Sequence, residues 1–488
     1  MNTAAKQATK QPGGFYVLFL TEMWERFGFY LMNSLLILYL TKSMGYGDKT
    51  AYTAFAAFSA LLYITPAVGG YLADHFMGYR RALQFGAVMM TVGYAALALP
   101  FHYAIFPALA LVVIGTGFFK AMPYALLNQL YRSEAQRSKM DGAFTLYYLS
   151  IQIGGLAPVF FGGYAVRYFG WHVTFSAAAL GMLVGYLTFR TGKRFFTKAD
   201  IDVGYQSLPQ WFMPALTVAC VAAALVVTAL LMYASVASTV VWSLAAAFVV
   251  YVLFKARHLT GKERTRLIVA TGLCVFGMVF FAFYYQQPMS LTLFIDRNVD
   301  RHVLGLLLPS SSFWMLNPMW ILIVGPFLNA LYNKLGKHQR DLSVTMKFSI
   351  GMLFMGMGYL TVVIGTHYAN ASQHISAWWI VWSYAFQSTA ELLVNALGTA
   401  MIAKLVPKQM VSVMMGMWFI STSLGGILAG TMANLTAVPK HQHVSALYTM
   451  HVYSHAFSTF AWISFAMGVV GCALAPMVTR MTAERLKK

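Results

Sequence analysis

Charge is what this sequence has least of. Of its 488 residues only 10% are Asp, Glu, Lys or Arg, where soluble chains carry about a quarter, and 59% are hydrophobic. With a mean hydropathy of +0.63, an ordinary soluble globule is excluded and an all-α, polytopic membrane protein remains. Acids are scarcest, 14 against 34 Lys and Arg, so each one inside an apolar stretch needs a reason. Cysteine is nearly lacking: Cys220, Cys274 and Cys472 all fall in apolar stretches without metal-ligand spacing and read as small core residues. No His/Cys/Asp metal spacing and no Ser/His/Asp-like set occurs at membrane depth, so neither an enzyme nor a resident cofactor is expected. The histidines His102, His302, His367, His374, His451 and His455 sit at outer loops and span ends, where solvated or interfacial roles are expected. His441 and His443 are candidates for an outer-face pH response. The leading segment Met1 to Gly14 is polar and shows no cleavable signal pattern ahead of the first apolar run.

What the chain has instead is about fourteen apolar segments, each near the roughly 20 residues that a helix needs to cross a bilayer. They lie near 15 to 41, 51 to 74, 80 to 100, 103 to 131, 141 to 167, 172 to 190, 211 to 234, 236 to 255, 266 to 296, 303 to 334, 344 to 368, 375 to 404, 410 to 437 and 450 to 480. With the N-terminus inside, the outer loops keep only Lys42, Lys49, Arg167, Arg297, Arg301 and Lys440, and nearly all other cations fall on the inner side. This positive-inside asymmetry predicts cytoplasmic termini and an even number of spans in the inner (plasma) membrane. The net charge of +20 therefore reports topology and contact with anionic lipid, which argues against nucleic acid as a partner. Spans seven and eight hold no charged residue apart from Lys255 at the very end of the eighth, and a monotonous Ala/Val/Leu composition, which reads as a lipid-facing hairpin. The expected organisation is a tail 1–14, a six-helix bundle 15–190, linkers 191–265 carrying the inserted hairpin (about 211–255), a second six-helix bundle 266–480, and a tail 481–488.

Against that apolar background, Glu22-Met23-Trp24-Glu25-Arg26 puts three charges where lipid should be. On a helix, Glu22 lies one turn from Glu25 and Arg26, so both carboxylates and the guanidinium share one side within pairing reach. Each would cost a few kcal/mol facing hydrocarbon, so they face a polar interior. Two carboxylates competing for one fixed cation also make a titratable site; the alternative is a static ion pair between helices. The only other cation within a span is Lys120, which needs a carboxylate partner, with Glu22, Glu25 and Glu391 available at comparable depth. Positive Arg26 and Lys120 in the first half and acidic Glu391 in the second can clamp a zwitterion by its two ends. Tyr30, Tyr39 and Tyr63 offer apolar walls with a hydrogen-bonding tip. Asp74, Gly78, Arg80 and Arg81 form a short inner loop in which Asp74 can cap or pair and Gly78 permits the turn. Pro66, Pro158, Pro288, Pro318 and Pro326 interrupt spans and are candidate bending points.

Taken together these motifs resemble the proton-coupled oligopeptide transporter (POT/PTR) family of the major facilitator superfamily. The likeness covers essentially the whole chain: Glu22-x-x-Glu25-Arg26-Phe27, Gly70-x-Leu72-Ala73-Asp74, Phe119-Lys120, Phe144 to Gly154, Gln286-Gln287, Leu316-Asn317-Pro318 and Glu391-Leu392-Leu393. It implies a major facilitator fold of two six-helix bundles rocking about a central site, with an inserted two-helix hairpin and 14 spans. It implies uptake of di- and tripeptides or peptide-like zwitterions with protons as the coupling ion; a working monomer is expected. Positions matching Glu22 and Glu25 would take part in proton coupling together with Arg26 and Lys120. Arg26 and Lys120 would face the peptide carboxylate, Asn317 and Glu391 its amino group, and Tyr30, Tyr63 and Trp418 the pocket.

The chain departs from the family where an outer gate would pair an arginine with a glutamate; here those positions are Asn33 and Tyr285. Losing both partners leaves no stranded charge. Gln152 stands where the family has an asparagine, Ala121-Met122 replaces Pro-Asn, and Asn395-Ala396 replaces Ser-Pro, so the substrate spectrum is open to change. Alternatives are a divergent transporter for another small anionic or drug-like solute, or a transport-fold sensor that binds without net uptake.

Overall fold

Long apolar runs broken by glycine, proline and short polar loops fold here as helices joined by tight connections. The computed structural model describes residues 11–131, 140–196, 209–338, 342–406, 410–439 and 445–482. The first ten residues, most of the 191–210 linker, the last six residues, and His441 and His443 lie outside the described residues. Ten helical stretches among the described residues are long and apolar enough to cross a membrane. By internal packing the chain forms two compact units, one comprising residues 1–35 and 61–232, the other 36–60 and 233–488.

Helices α1 (Gly13–Leu38) and α2 (Asp48–Leu72), which belong to the first unit up to residue 35 and from residue 61, end in π-type turns at Tyr39–Ser43 and Ala73–Met77. At Gly78, φ of 81° reverses the chain into α3 (Tyr79–Leu97), a conformation that side-chain-bearing residues avoid. Next come α4 (Ile105–Phe119) and α5 (Met122–Leu130), separated by a break at Lys120 and Ala121 with Pro123 in the first turn of α5. The expected span 103 to 131 remains one stretch long and apolar enough to cross a membrane, built of two helices. Proline favours such a start because its missing N–H is unpaired there anyway. The long α6 (Met140–Gly192) is two arms meeting at Gly170, whose φ of 81° no helix interior holds. Then α7 (Phe212–Met232) packs on α4.

The second unit holds α8 (Ala234–Ala256), which packs on α14, and α9 (Gly261–Tyr284), whose π turn Gln287–Leu291 leads into α10 (Thr292–Asn298). Further on are α11 (Leu316–Lys337), α12 (Val344–Thr366), α13 (Ala377–Leu405), α14 (Val411–Ala433) and α15 (Ala446–Thr482). Residues 299–307 form short strands: β1 (Val299–Asp300) pairs in parallel with β4 (Ile375–Ser376), and β2 (His302–Val303) pairs with β3 (Leu306–Leu307). Leu304 and Gly305, both at positive φ, make the β2–β3 turn, so the expected span beginning at 303 becomes helical only at Ser310.

Two sequence expectations change in form. Pro288 lies in the π turn and Pro318 in the first turn of α11, where no main-chain bond is broken, while Pro66, Pro158 and Pro326 lie inside helices. The compact units also cut across the boundaries 15–190, 211–255 and 266–480, since residues 36–60 pack with the second unit and α7 and α8 fall in different units. Both hairpin helices are mostly exposed, with only 17% and 22% of their most apolar stretches buried. An apolar helix with so little protein cover is suited to lipid.

Candidate functional site

The first unit gathers its deep charges on α1. Helical spacing brings Arg26 Nε to 3.2 Å from Glu22 Oε1, and the same nitrogen donates to Glu25 Oε2. Tyr147, from the first arm of α6, donates its hydroxyl to Glu22 Oε2 at 2.7 Å. The other oxygen of Glu25 is buried with no hydrogen-bond partner among the described residues, and Glu25 itself is fully buried. One nitrogen thus serves two carboxylates, one of them half-satisfied. The terminal amino groups of Arg26 donate no hydrogen bond among the described residues; the guanidinium carbon sits 5.0 Å from the centre of the Phe29 ring. Close packing holds the cluster: a Cβ on Gly154 would come 2.9 Å from Arg26 Cβ, so α6 passes α1 at backbone distance.

Lys120 ends α4, with its amide bonded to the Thr116 carbonyl at 2.9 Å. The sequence asked for a carboxylate partner. Instead its Nζ lies 3.8 Å from the centre of the Tyr63 ring, and no carboxylate oxygen is within salt-bridge distance among the described residues. A ring face attracts a cation without neutralising it, so the charge stays available to an anion. Contact between α2 and α4 aims Lys120 there: a Cβ on Gly117 would come 2.9 Å from Thr65 Cβ, and one on Gly69 would strike the Gly117 carbonyl. Tyr30 and Tyr63 are half-buried, and Gln152 is buried in α6.

In the second unit, Asn317 Nδ2 donates to Glu391 Oε2 at 2.8 Å and to Ser388 Oγ at 3.3 Å, and Asn395 Nδ2 approaches Glu391 Oε1 at 3.5 Å. Asn317 starts α11 and Glu391 lies mid-way along α13, so this contact joins two helices. Trp418 is almost wholly buried, edge-on to Phe281 and against Gly277, where a Cβ would come 2.8 Å from its ring; it is a packed wall and not an open surface. Gln286 and Gln287 form a buried network: Gln286 donates to the Ala429 carbonyl at 2.9 Å and Gln287 to Gln387 at 3.1 Å.

In the turn between α2 and α3, Asp74 is exposed and makes no ion pair or hydrogen bond among the described residues, so the expected pairing across the loop is not formed; water serves an exposed carboxylate as well. Arg81 is exposed and Arg80 half-buried. Asn33 and Tyr285 are both buried, each within its own unit. Sequence reasoning missed Tyr147 and a second charged cluster around Asp48 and Asp296. There Arg297 grips Asp48 through two bonds of 2.6 and 2.8 Å and reaches the Tyr453 hydroxyl at 2.9 Å, while Lys42 pairs with Asp296 at 2.7 Å. With so few acids in the chain, Asp48 and Asp296 were visible signals; their partners depend on packing.

The POT family model matches residues 80–452. The chain belongs to the POT family. It is similar to dipeptide and tripeptide permease A of Erwinia pyrifoliae, 37% identical over 489 residues, spanning 99% of this chain and 97% of that relative. The permease B of Salmonella typhimurium is 33% identical, over 99% of this chain and 98% of its own. Among solved structures, a bacterial homologue of the human drug peptide transporters PepT1 and PepT2 superposes with a TM-score of 0.82 at 29% identity, covering 96% of this chain and 99% of that one. A POT peptide transporter in complex with sulfate superposes at 0.84 with 27% identity, covering 97% and 96%. This POT member is thus a multi-pass, all-α protein of the major facilitator fold.

Proposed function

We propose that this POT protein is a proton-coupled symporter that imports di- and tripeptides, or peptide-like zwitterions, by alternating access. The observation that carries the reading is the shared use of one Arg26 nitrogen by two buried carboxylates. Protonation of the Glu22/Glu25 cluster removes one claim on the guanidinium, whose unused amino groups then take the peptide carboxylate in a forked contact. Lys120, held over Tyr63 without a carboxylate, adds a second cation for the same end. Glu391, positioned by Asn317, accepts the ammonium end. Tyr30, Tyr63 and Gln152 complete the lining, and Trp418 backs it. Loss of the proton to the inside restores the pairing and expels the peptide, so the proton gradient drives accumulation. Asp74, Arg80, Arg81, Asn33 and Tyr285 serve the gating surfaces.

The same reading takes 14 spans, both termini in the cytoplasm, an inner-membrane location and a working monomer, with protons as the coupling ion and no further cofactor. Six helices on each side, 15–190 and 266–480, move against each other, and the hairpin at 211–255 meets lipid; the absence of acids and the exposure of α7 and α8 support that assignment.

Reconstituted uptake tests the reading. Wild-type protein in liposomes accumulates labelled dipeptide under an imposed inward proton gradient. Glu22→Gln and Glu25→Gln lose gradient-driven uptake yet retain counterflow exchange. Gradient-driven uptake left intact in both variants would reject the proton site, and no dipeptide uptake by wild type would reject the substrate class.

A further inference from the structure

A cavity of about 370 Å³ opens in the first unit, away from the charged cluster of α1. Three cations line it: Arg81 at the start of α3, Arg190 near the end of α6, and Lys193 in the turn that follows. No carboxylate lines it. Gln84 adds a neutral polar group, and the rest of the lining is aromatic or aliphatic. Phe85 and Val88 stand one and two turns further along α3, and Met213 begins α7. Tyr186 sits between the two regions and accepts a hydrogen bond from Arg190 Nη1 at 2.8 Å, which leaves its own hydroxyl proton free to donate. The stacked rings of Phe76 and Phe212 fix the start of α7 beside it.

Chemically the cavity is graded along the helix axes. Its basic end lies at helix termini and its apolar end runs into α3 through Phe85 and Val88, with Met213 at the start of α7 beside it. A soluble anion needs only the first half. A phospholipid needs both, with its phosphate at a water-facing rim and its acyl chains along an apolar wall.

We propose that this cavity seats the headgroup of one anionic phospholipid, with the phosphate held by Arg81, Arg190, Lys193 and the Tyr186 hydroxyl and one acyl chain running past Phe85, Val88 and Met213. The site uses none of the residues assigned to peptide or to the proton, and it stands whether or not the chain carries peptides. On the orientation proposed above, the lipid belongs to the cytoplasmic leaflet.

Native mass spectrometry of the delipidated protein in detergent, titrated with an equimolar mixture of phosphatidylglycerol and phosphatidylcholine of matched chains, tests the proposal. The first lipid bound by wild type is phosphatidylglycerol, by a preference on the order of 100-fold, at about fivefold for each of the three cation contacts. Arg190→Gln with Lys193→Gln lowers that preference about 25-fold. A charge-matched control, Lys255→Gln with Arg257→Gln, keeps it. Equal thermal midpoints of the three proteins before lipid addition establish that the cavity variant is folded; if it is not, Tyr186→Phe with Arg190→Lys is read instead and weakens binding. Two results overturn the proposal: loss of preference in the control equal to that in the cavity variant, or displacement of the first lipid by inorganic phosphate or glycerophosphoglycerol at the lipid's own concentration.

Discussion

Arg26 commits a single nitrogen to two acids and keeps its terminal amino groups unspent, which is a geometry only arginine supplies. Arg26→Lys keeps the charge and loses the fork. We expect KM for a free dipeptide to rise by about 10- to 100-fold, corresponding to the 1.5–3 kcal/mol of a hydrogen bond to a charged group, while the KM for the C-terminally amidated dipeptide barely moves. Competition uptake with the two peptides measures this, and equal effects on both would remove Arg26 from the carboxylate end. Tyr147→Phe deletes only the donor to Glu22, and its expected cost of about 1.5–3 kcal/mol appears as a lowered thermal midpoint together with weaker gradient-driven uptake. The carboxylate and guanidinium cluster was legible in the sequence because helix spacing alone puts Glu22, Glu25 and Arg26 on one face. The bond from Tyr147 and the contact of Lys120 with the Tyr63 ring were not, because each joins two helices and depends on how two glycine-lined surfaces meet.

Helices here are placed by small residues at their crossings, and those crossings aim the functional side chains. Gly69 and Gly117 bring α2 and α4 into backbone contact, so Gly69→Ala forces the two apart and moves Lys120 off Tyr63. Overpacking of this kind costs about 1–3 kcal/mol, read as a lower thermal midpoint, and uptake should fall with it. Outside the deep cluster, residues 36–60 are tied to the second unit by Asp48 and Arg297, a pair in which Asp48 is buried and Arg297 part-exposed. Asp48→Asn strands the guanidinium and should cost about 1–3 kcal/mol, below the range for fully buried pairs because solvent reaches Arg297. In a double-mutant cycle with Arg297→Gln, the combined loss should fall well short of the sum of the single losses; additivity would dissolve the link. That the chain is built of helices long enough to cross a membrane followed from hydropathy. The allegiance of 36–60 did not, since it rests on ion pairs between residues about 250 positions apart, and span-level hydropathy is blind to pairing.

At the scale of the whole molecule, topology turns on whether the pair α7 and α8 crosses the bilayer, because an inserted hairpin keeps the even count and leaves the termini on one side. Both helices are long enough, free of acids, and largely uncovered by protein, so water is a poor medium for them and lipid a good one. Their connection at Tyr233 then lies on the outer face, and the stretch from Arg257 to Lys262 lies inside with the basic loops. Single-cysteine scanning separates the alternatives: with Cys220, Cys274 and Cys472 replaced by serine or alanine, Tyr233→Cys should react with an impermeant maleimide in intact cells, while Lys262→Cys should react only after permeabilisation. Labelling of both positions from the same side would mean that the hairpin does not span. The count of 14 would then fall to 12, and the exposed faces of α7 and α8 would need a protein partner in place of lipid.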